Sequence, residues 1–216
     1  IDNKSKLSDN LYMNHPEGVA LIVVDPLRRF TVEGAPFEVE GASIILTEIN
    51  VLAERFRINS LPVMWVSRLI RPQLSLGTRT ASKYKGMSAA FLGEWAEMDH
   101  RLDVQPEDYV IFKPRHSAFY ATDLEIILRE NKVSEIWICG FTFNVCILAT
   151  AFDAVARDIK VKFLIDQCGV LPAKIKEKLI AADSVHEYSK IVADYAVGEM
   201  LDTSEAHKFL SNNSVR

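Results

Sequence analysis

The run Val19-Ala-Leu-Ile-Val-Val24 is the stretch that most narrows what this chain can become. Six aliphatic residues follow one another without the polar alternation of a half-exposed strand. Such a run needs cover on both faces, as a central strand of a parallel sheet has. It stops at Asp25-Pro26, and similar runs recur at Leu61–Val66, Tyr109–Phe112, Ile136–Cys139 and Val161–Ile165. Helical spacing fills the intervals, with Ile44, Ile45, Ile49, Leu52, Ala53 and Phe56 in Gly41–Arg57, and Leu124, Ile127 and Leu128 in Thr122–Asn131. Val145–Arg157 is an alanine-lined helix for which Asn144 is the expected N-cap. Two further helices are expected at Pro172–Ala182 and Ser189–Met200, with a weak strand at Ser184–Glu187 between them. Strands alternating with helices predict a parallel sheet covered by helices on both faces.

The 216 residues show no linker or repeat, so residues 17–216 read as one domain behind a polar N-terminal arm, residues 1–16. A net charge of −4 gives no electrostatic reason to expect a nucleic acid or an anionic membrane as partner. No apolar segment is long enough to span a bilayer, and Ile1-Asp-Asn-Lys-Ser-Lys6 lacks the apolar region of a signal peptide. Cys139, Cys146 and Cys168 form no CxxC pair and cannot all pair internally, which points to a reducing, cytoplasmic setting.

Right-handed crossovers put the carboxyl ends of parallel strands on one rim, where ligands of such sheets bind. Three apolar runs end on Asp25, on Lys113, and one turn before Cys146, delivering a carboxylate, an ammonium and a thiol to that rim. Each has a plainer reading: a cap, a solvated lysine, a small buried side chain. Together they make a nucleophile, a base to take its proton, and a cation to stabilise the thiolate. Asp166 ends a fourth run and reads as structural. Residues 68–93 hold Arg68, Arg71, Arg79, Lys83 and Lys85 with no Asp, Glu or His. That stretch reads either as solvated surface or as a basic lid over an anionic substrate.

At these residues the chain resembles the isochorismatase-like cysteine hydrolases, over about residues 17–200. The pieces are Leu21-Ile-Val-Val-Asp25 with Phe30, Lys113-Pro-Arg-His-Ser-Ala-Phe119 with Thr122-Asp-Leu124, and Gly140 with Asn144-Val-Cys146, Thr150 and Asp153-Ala154. The second and third look most like the N-carbamoyl and ureido amidohydrolase branch. The resemblance implies a three-layer α/β/α, doubly wound fold around a mostly parallel six-stranded sheet, in a homo-oligomer such as a dimer or tetramer. It implies a catalytic triad of Asp25, Lys113 and Cys146, a cis peptide at Phe141–Thr142, and an oxyanion hole formed by the backbone N–H groups of Thr142 and Cys146. Phe30, Phe119 and Phe143 are candidate pocket walls, with core packing as the alternative, and Arg115 is a candidate carboxylate holder or a surface ion pair. The Asp-x-His metal motif of nicotinamidases is missing from 68–93, so neither a metal nor another cofactor is expected. Pro26-Leu27-Arg28 and Phe143 depart from the usual pattern. The expected activity is hydrolysis of a C–N bond in a small-molecule amide, N-carbamoyl or ureido compound. Isochorismatase-type vinyl-ether hydrolysis and a non-catalytic binding or assembly role are the alternatives.

Overall fold

The computed structural model describes residues 18–68 and 88–212. Its sheet has six strands: β1 (Val19–Val24), β2 (Val63–Arg68), β3 (Tyr109–Lys113), β4 (Glu135–Phe141), β5 (Lys160–Gly169) and, later in the chain, β8 (Glu199–Leu201). Their order is β3-β2-β1-β4-β5-β8, and every pairing is parallel. The chain steps outward from β1 to β3, returns past β1 to β4, and then builds the other half. That reversal leaves the rim between β1 and β4 as the natural place for a ligand.

All six residues of β1 are buried, as their unbroken aliphatic run requires. Gly140 allows β1 and β4 to close together at the rim: a Cβ there would stand 2.1 Å from the Val24 carbonyl oxygen. Its φ of +111° is likewise one that glycine adopts freely.

Helix α1 (Arg28–Thr31) is a single turn after β1. Helix α2 (Ala42–Ile58) buries Leu46, Ile49, Leu52, Ala53 and Phe56, one face at helical spacing. Helix α3 (Leu124–Glu130) precedes β4, and α4 (Leu148–Val155) follows it. The last helices are α5 (Ala182–Ala196) and α6 (Thr203–Asn212). Helix α2 packs on α6, β1 and β5, whereas α5 packs on β5, β8 and the turn that leads into α4.

Four local expectations change. In place of the helix expected over 172–182 stands a hairpin, β6 (Ala173–Ile175) and β7 (Lys178–Ile180), turning at Lys176, whose φ is +54°. Ser184–Glu187 lies inside α5, because Val185, Ser189 and Ala193 bury one face at four-residue spacing. The sixth strand is β8, which begins inside the stretch expected as a helix to Met200. Asn144 is not a cap; it lies inside a five-residue π-helical turn, Phe143–Ile147, that precedes α4. The expected arm, residues 1–16, lies outside the described residues. No helix among the described residues is long and apolar enough to cross a membrane.

Candidate active site

Asp25 follows the last residue of β1 with a φ of +48°, a left-handed conformation that few residues other than glycine, asparagine and aspartate adopt. Its N–H donates to the Val66 carbonyl at 2.7 Å, which ties the turn to β2. The next residues are held from outside. Arg28 N–H donates to Glu97 O, Asp99 N–H donates to Pro26 O, and Leu27 bridges to Met98. Pro26-Leu27-Arg28 thus belongs to a clamp that fixes the turn carrying Asp25.

Lys113 closes β3 and is fully buried. Its Nζ donates to Asp25 Oδ2 at 2.7 Å and to the Arg115 carbonyl at 3.2 Å. Asp25 Oδ1 is buried and has no hydrogen-bond partner among the described residues. Cys146 lies in the π-helical turn after β4, 7% exposed. Thr150 fastens that turn, donating from Oγ1 to the Cys146 carbonyl at 2.8 Å and accepting from Ala118 N–H at 3.0 Å. The loop after β3 and the turn after β4 are therefore joined through one buried hydroxyl.

Burial pushes the Cys146 thiol up to about 11; Lys113 and Arg68 pull it down, and Asp25 pushes it further up. The strand-end cation expected to stabilise a thiolate does not prevail, because burial is the largest influence on the thiol. Cys139 and Cys168 are also free and buried, and desolvation holds both thiols high.

Asp25, Thr142 and Cys146 line one cavity of about 600 Å³, together with Phe30, Phe37, Phe91, Asn144, Val145 and the hairpin's Leu171–Lys174 stretch. Phe30 therefore reaches the cavity, and its ring stacks on Phe141 at 6.0 Å. Two expected wall residues and the expected carboxylate holder do not line it. Phe119 is buried beneath the Arg157 guanidinium, 4.8 Å from the ring centre. Phe143 points into the core against Phe163 and His186. Arg115 donates to the Pro114 carbonyl and serves Lys113 through its own backbone oxygen. The peptide Phe141–Thr142 is cis.

Sequence reasoning passed over His116, whose Nδ1 lies 3.6 Å from Cys146 Sγ and 3.5 Å from an Arg68 nitrogen. A histidine three residues beyond a strand-ending lysine was the available sign. It also passed over Arg29, a fully buried cavity residue whose guanidinium packs on Phe30 and Phe91. Arg68 belongs to β2 and is 5% exposed, which makes it part of the cavity rather than of a surface loop. Arg71, Arg79, Lys83 and Lys85 lie outside the described residues. Among those described, no three His, Cys, Asp or Glu side chains cluster as a metal site.

Known proteins resemble the chain. It is 29% identical to the N-carbamoylsarcosine amidase of an Arthrobacter species over 154 residues, 69% of this chain and 57% of that protein. The chain thus spans little more than half of that relative. It is 32% identical to the "Probable inactive nicotinamidase" of Arabidopsis thaliana over 149 residues, 64% of this chain and 74% of the other. The crystal structure of a cysteine hydrolase from Pseudomonas syringae pv. phaseolicola superposes with a TM-score of 0.86 at 26% identity, covering 93% of this chain and 95% of that one. The Isochorismatase domain pattern matches residues 19–189, from the first residue of β1 into α5, and with its sheet order and strand-end groups the chain belongs to the isochorismatase-domain family of hydrolases.

Proposed function

We propose that this hydrolase cleaves the C–N bond of a small amide, N-carbamoyl or ureido compound through a thioester on Cys146. The observation that carries the reading is the Asp25–Lys113 pair. Lys113 holds one carboxylate oxygen at 2.7 Å, and the other, Oδ1, is left without a partner at the edge of the cavity that Cys146 shares. A thiol pushed up to about 11 carries almost no thiolate at neutral pH, so its proton leaves as the carbon–sulfur bond forms. Asp25 takes that proton, and the sulfur attacks the carbonyl carbon.

The backbone N–H groups of Thr142 and Cys146, both at the cavity wall, are our candidates to receive the developing oxyanion. One such donor is worth about 3 kcal/mol of barrier in other hydrolases. Asp25 then gives the proton to the departing nitrogen, which leaves as ammonia or an amine. It next accepts a proton from water, whose oxygen displaces the sulfur and releases the acid, and returns that proton to the Cys146 sulfur. Lys113 keeps Asp25 oriented throughout. No step calls for a metal ion.

The test is a panel of small amides, carbamoyl compounds and esters scored for ammonia or acid release by wild type, Cys146→Ala and Asp25→Asn. Loss of amide hydrolysis in both variants, with circular dichroism unchanged, is the expected result. Turnover that survives Cys146→Ala and is lost only on adding Asp25→Asn supports acid-driven vinyl-ether chemistry instead. A non-catalytic role is favoured by the likeness to the Arabidopsis protein and by the neutral thiol. That role predicts no release from any compound in the panel.

A further inference from the structure

The end of β2 carries a charge for which the reaction above has no use. Arg68 is paired in register with Lys113 on the neighbouring strand, so its side chain emerges on the same rim. It is 5% exposed and lines the cavity. Its Nη1 sits 3.5 Å from His116 Nδ1, whereas Nε and Nη2 are buried and meet no hydrogen-bond partner among the described residues. Those two nitrogens form one edge of the planar guanidinium, with two parallel N–H bonds spaced to match the oxygens of a carboxylate. A desolvated edge of this kind is costly unless an anion meets it.

The cavity as a whole has the same sense. Among the described charged residues of its lining, Arg29, Arg68 and Lys174 are cations and Asp25 is the one acid, already neutralised by Lys113. Cys146 Sγ and Arg68 Nη1 lie on the same imidazole nitrogen, at 3.6 and 3.5 Å. The guanidinium and the thiol are thus no more than two polar contacts apart.

We propose that Arg68 is the substrate's anion anchor: its Nε–Nη2 edge binds a carboxylate set a few atoms from the carbonyl that Cys146 attacks. The inference rests on the amidohydrolase reading for the carbonyl and on Arg68 alone for the carboxylate. His116 acts here as a positioning residue, holding the guanidinium by its third nitrogen beside the nucleophile. The ligand class is a small carboxylic acid bearing an amide or carbamoyl group, and a neutral amide of the same shape leaves the edge unpaired.

The experiment compares N-carbamoylglycine with its neutral twin N-carbamoylglycinamide. Calorimetric binding to Cys146→Ala, which cannot turn them over, should favour the acid by at least about tenfold. Arg68→Gln in that background should remove the preference, and Arg68→Lys should restore only part of it, because an ammonium lacks the planar fork. In the active protein Arg68→Gln should raise KM for the acid more than it lowers kcat. Equal binding of acid and amide by the protein with Arg68 intact overturns the anchor, and so does a preference that survives in folded Arg68→Gln. Arg68-dependent binding without ammonia release from any amide keeps the anchor and removes the amidohydrolase reading. Ammonia released equally fast from acid and amide does the reverse.

Discussion

Lys113 reaches across a strand to meet Asp25: its Nζ lies 2.7 Å from Oδ2, although β2 runs between β3, which ends at Lys113, and β1, which precedes Asp25. Neighbouring strands stand about 4.8 Å apart, so the contact needs a long side chain. With side-chain exposures of 0% and 2%, each group is the other's replacement for water.

Removing one partner should therefore harm the fold more than removing both. Lys113→Met strands a buried carboxylate and should cost about 3–5 kcal/mol of stability. The double variant Lys113→Met/Asp25→Asn should recover most of that while remaining inactive. Urea unfolding of the four proteins of the cycle measures the coupling, and additive single losses would show that the pair is energetically idle.

The thiol's titration gives a second expectation. Its value is raised above that of an ordinary cysteine, so the reactive thiolate is scarce at pH 7 and grows about tenfold per pH unit until the pH nears 11. Iodoacetamide labelling of Cys146, followed by peptide mass spectrometry, should show that slope. Lys113→Ala should slow labelling at any one pH, since Lys113 lowers the value. A rate that levels off below pH 9 would contradict the burial argument.

Activity should survive dialysis against a strong chelator. Residues 68–93 contain no acid or histidine, and the catalytic steps use only side chains and backbone donors. A stoichiometric zinc or iron whose removal ends turnover, and whose return restores it, would require a different mechanism.

Asp99 should govern acid stability. Burial would raise its carboxyl, but hydrogen bonds from Arg101 and Thr31 outweigh this and hold it well below the usual carboxylate range. A depressed folded value stabilises above the unfolded value of about 4, and the contribution is lost as pH falls below it. Asp99→Asn should cost about 2 kcal/mol at pH 7. The gap to wild type should close progressively below about pH 4 in thermal melts. A gap that is the same at pH 7 and pH 3 would show that the charge is immaterial.

Much of this fold is legible in its apolar runs, because a strand buried on both faces leaves little choice of residue. Val19–Val24 is the clearest case. The strand ends are legible for the same reason: the first polar residue after such a run sits on the rim. Pocket walls are harder. Phe30 and Phe143 look alike in sequence, but Phe30, in α1, lines the cavity and Phe143, in the π-helical turn, packs into the core. Arg68 was misplaced because β2 runs two residues past Val66, where Ser67 and Arg68 break the apolar pattern yet keep the pairing. The hairpin at 173–180 pairs only with itself, so no burial pattern marks it.

The left-handed backbone at Asp25 has a bearing on descent. Aspartate adopts that conformation less readily than glycine, and here its carboxylate is also out of water. Folding alone would thus favour glycine at a position where the chemistry requires a carboxylate. In a lineage where the reaction falls out of use, drift should reach positions 25 and 113 together and early, leaving the strands intact. A descendant with glycine at 25 and an apolar residue at 113 would be a silent copy in a sound fold, and an unbroken pair is the mark of chemistry still under selection.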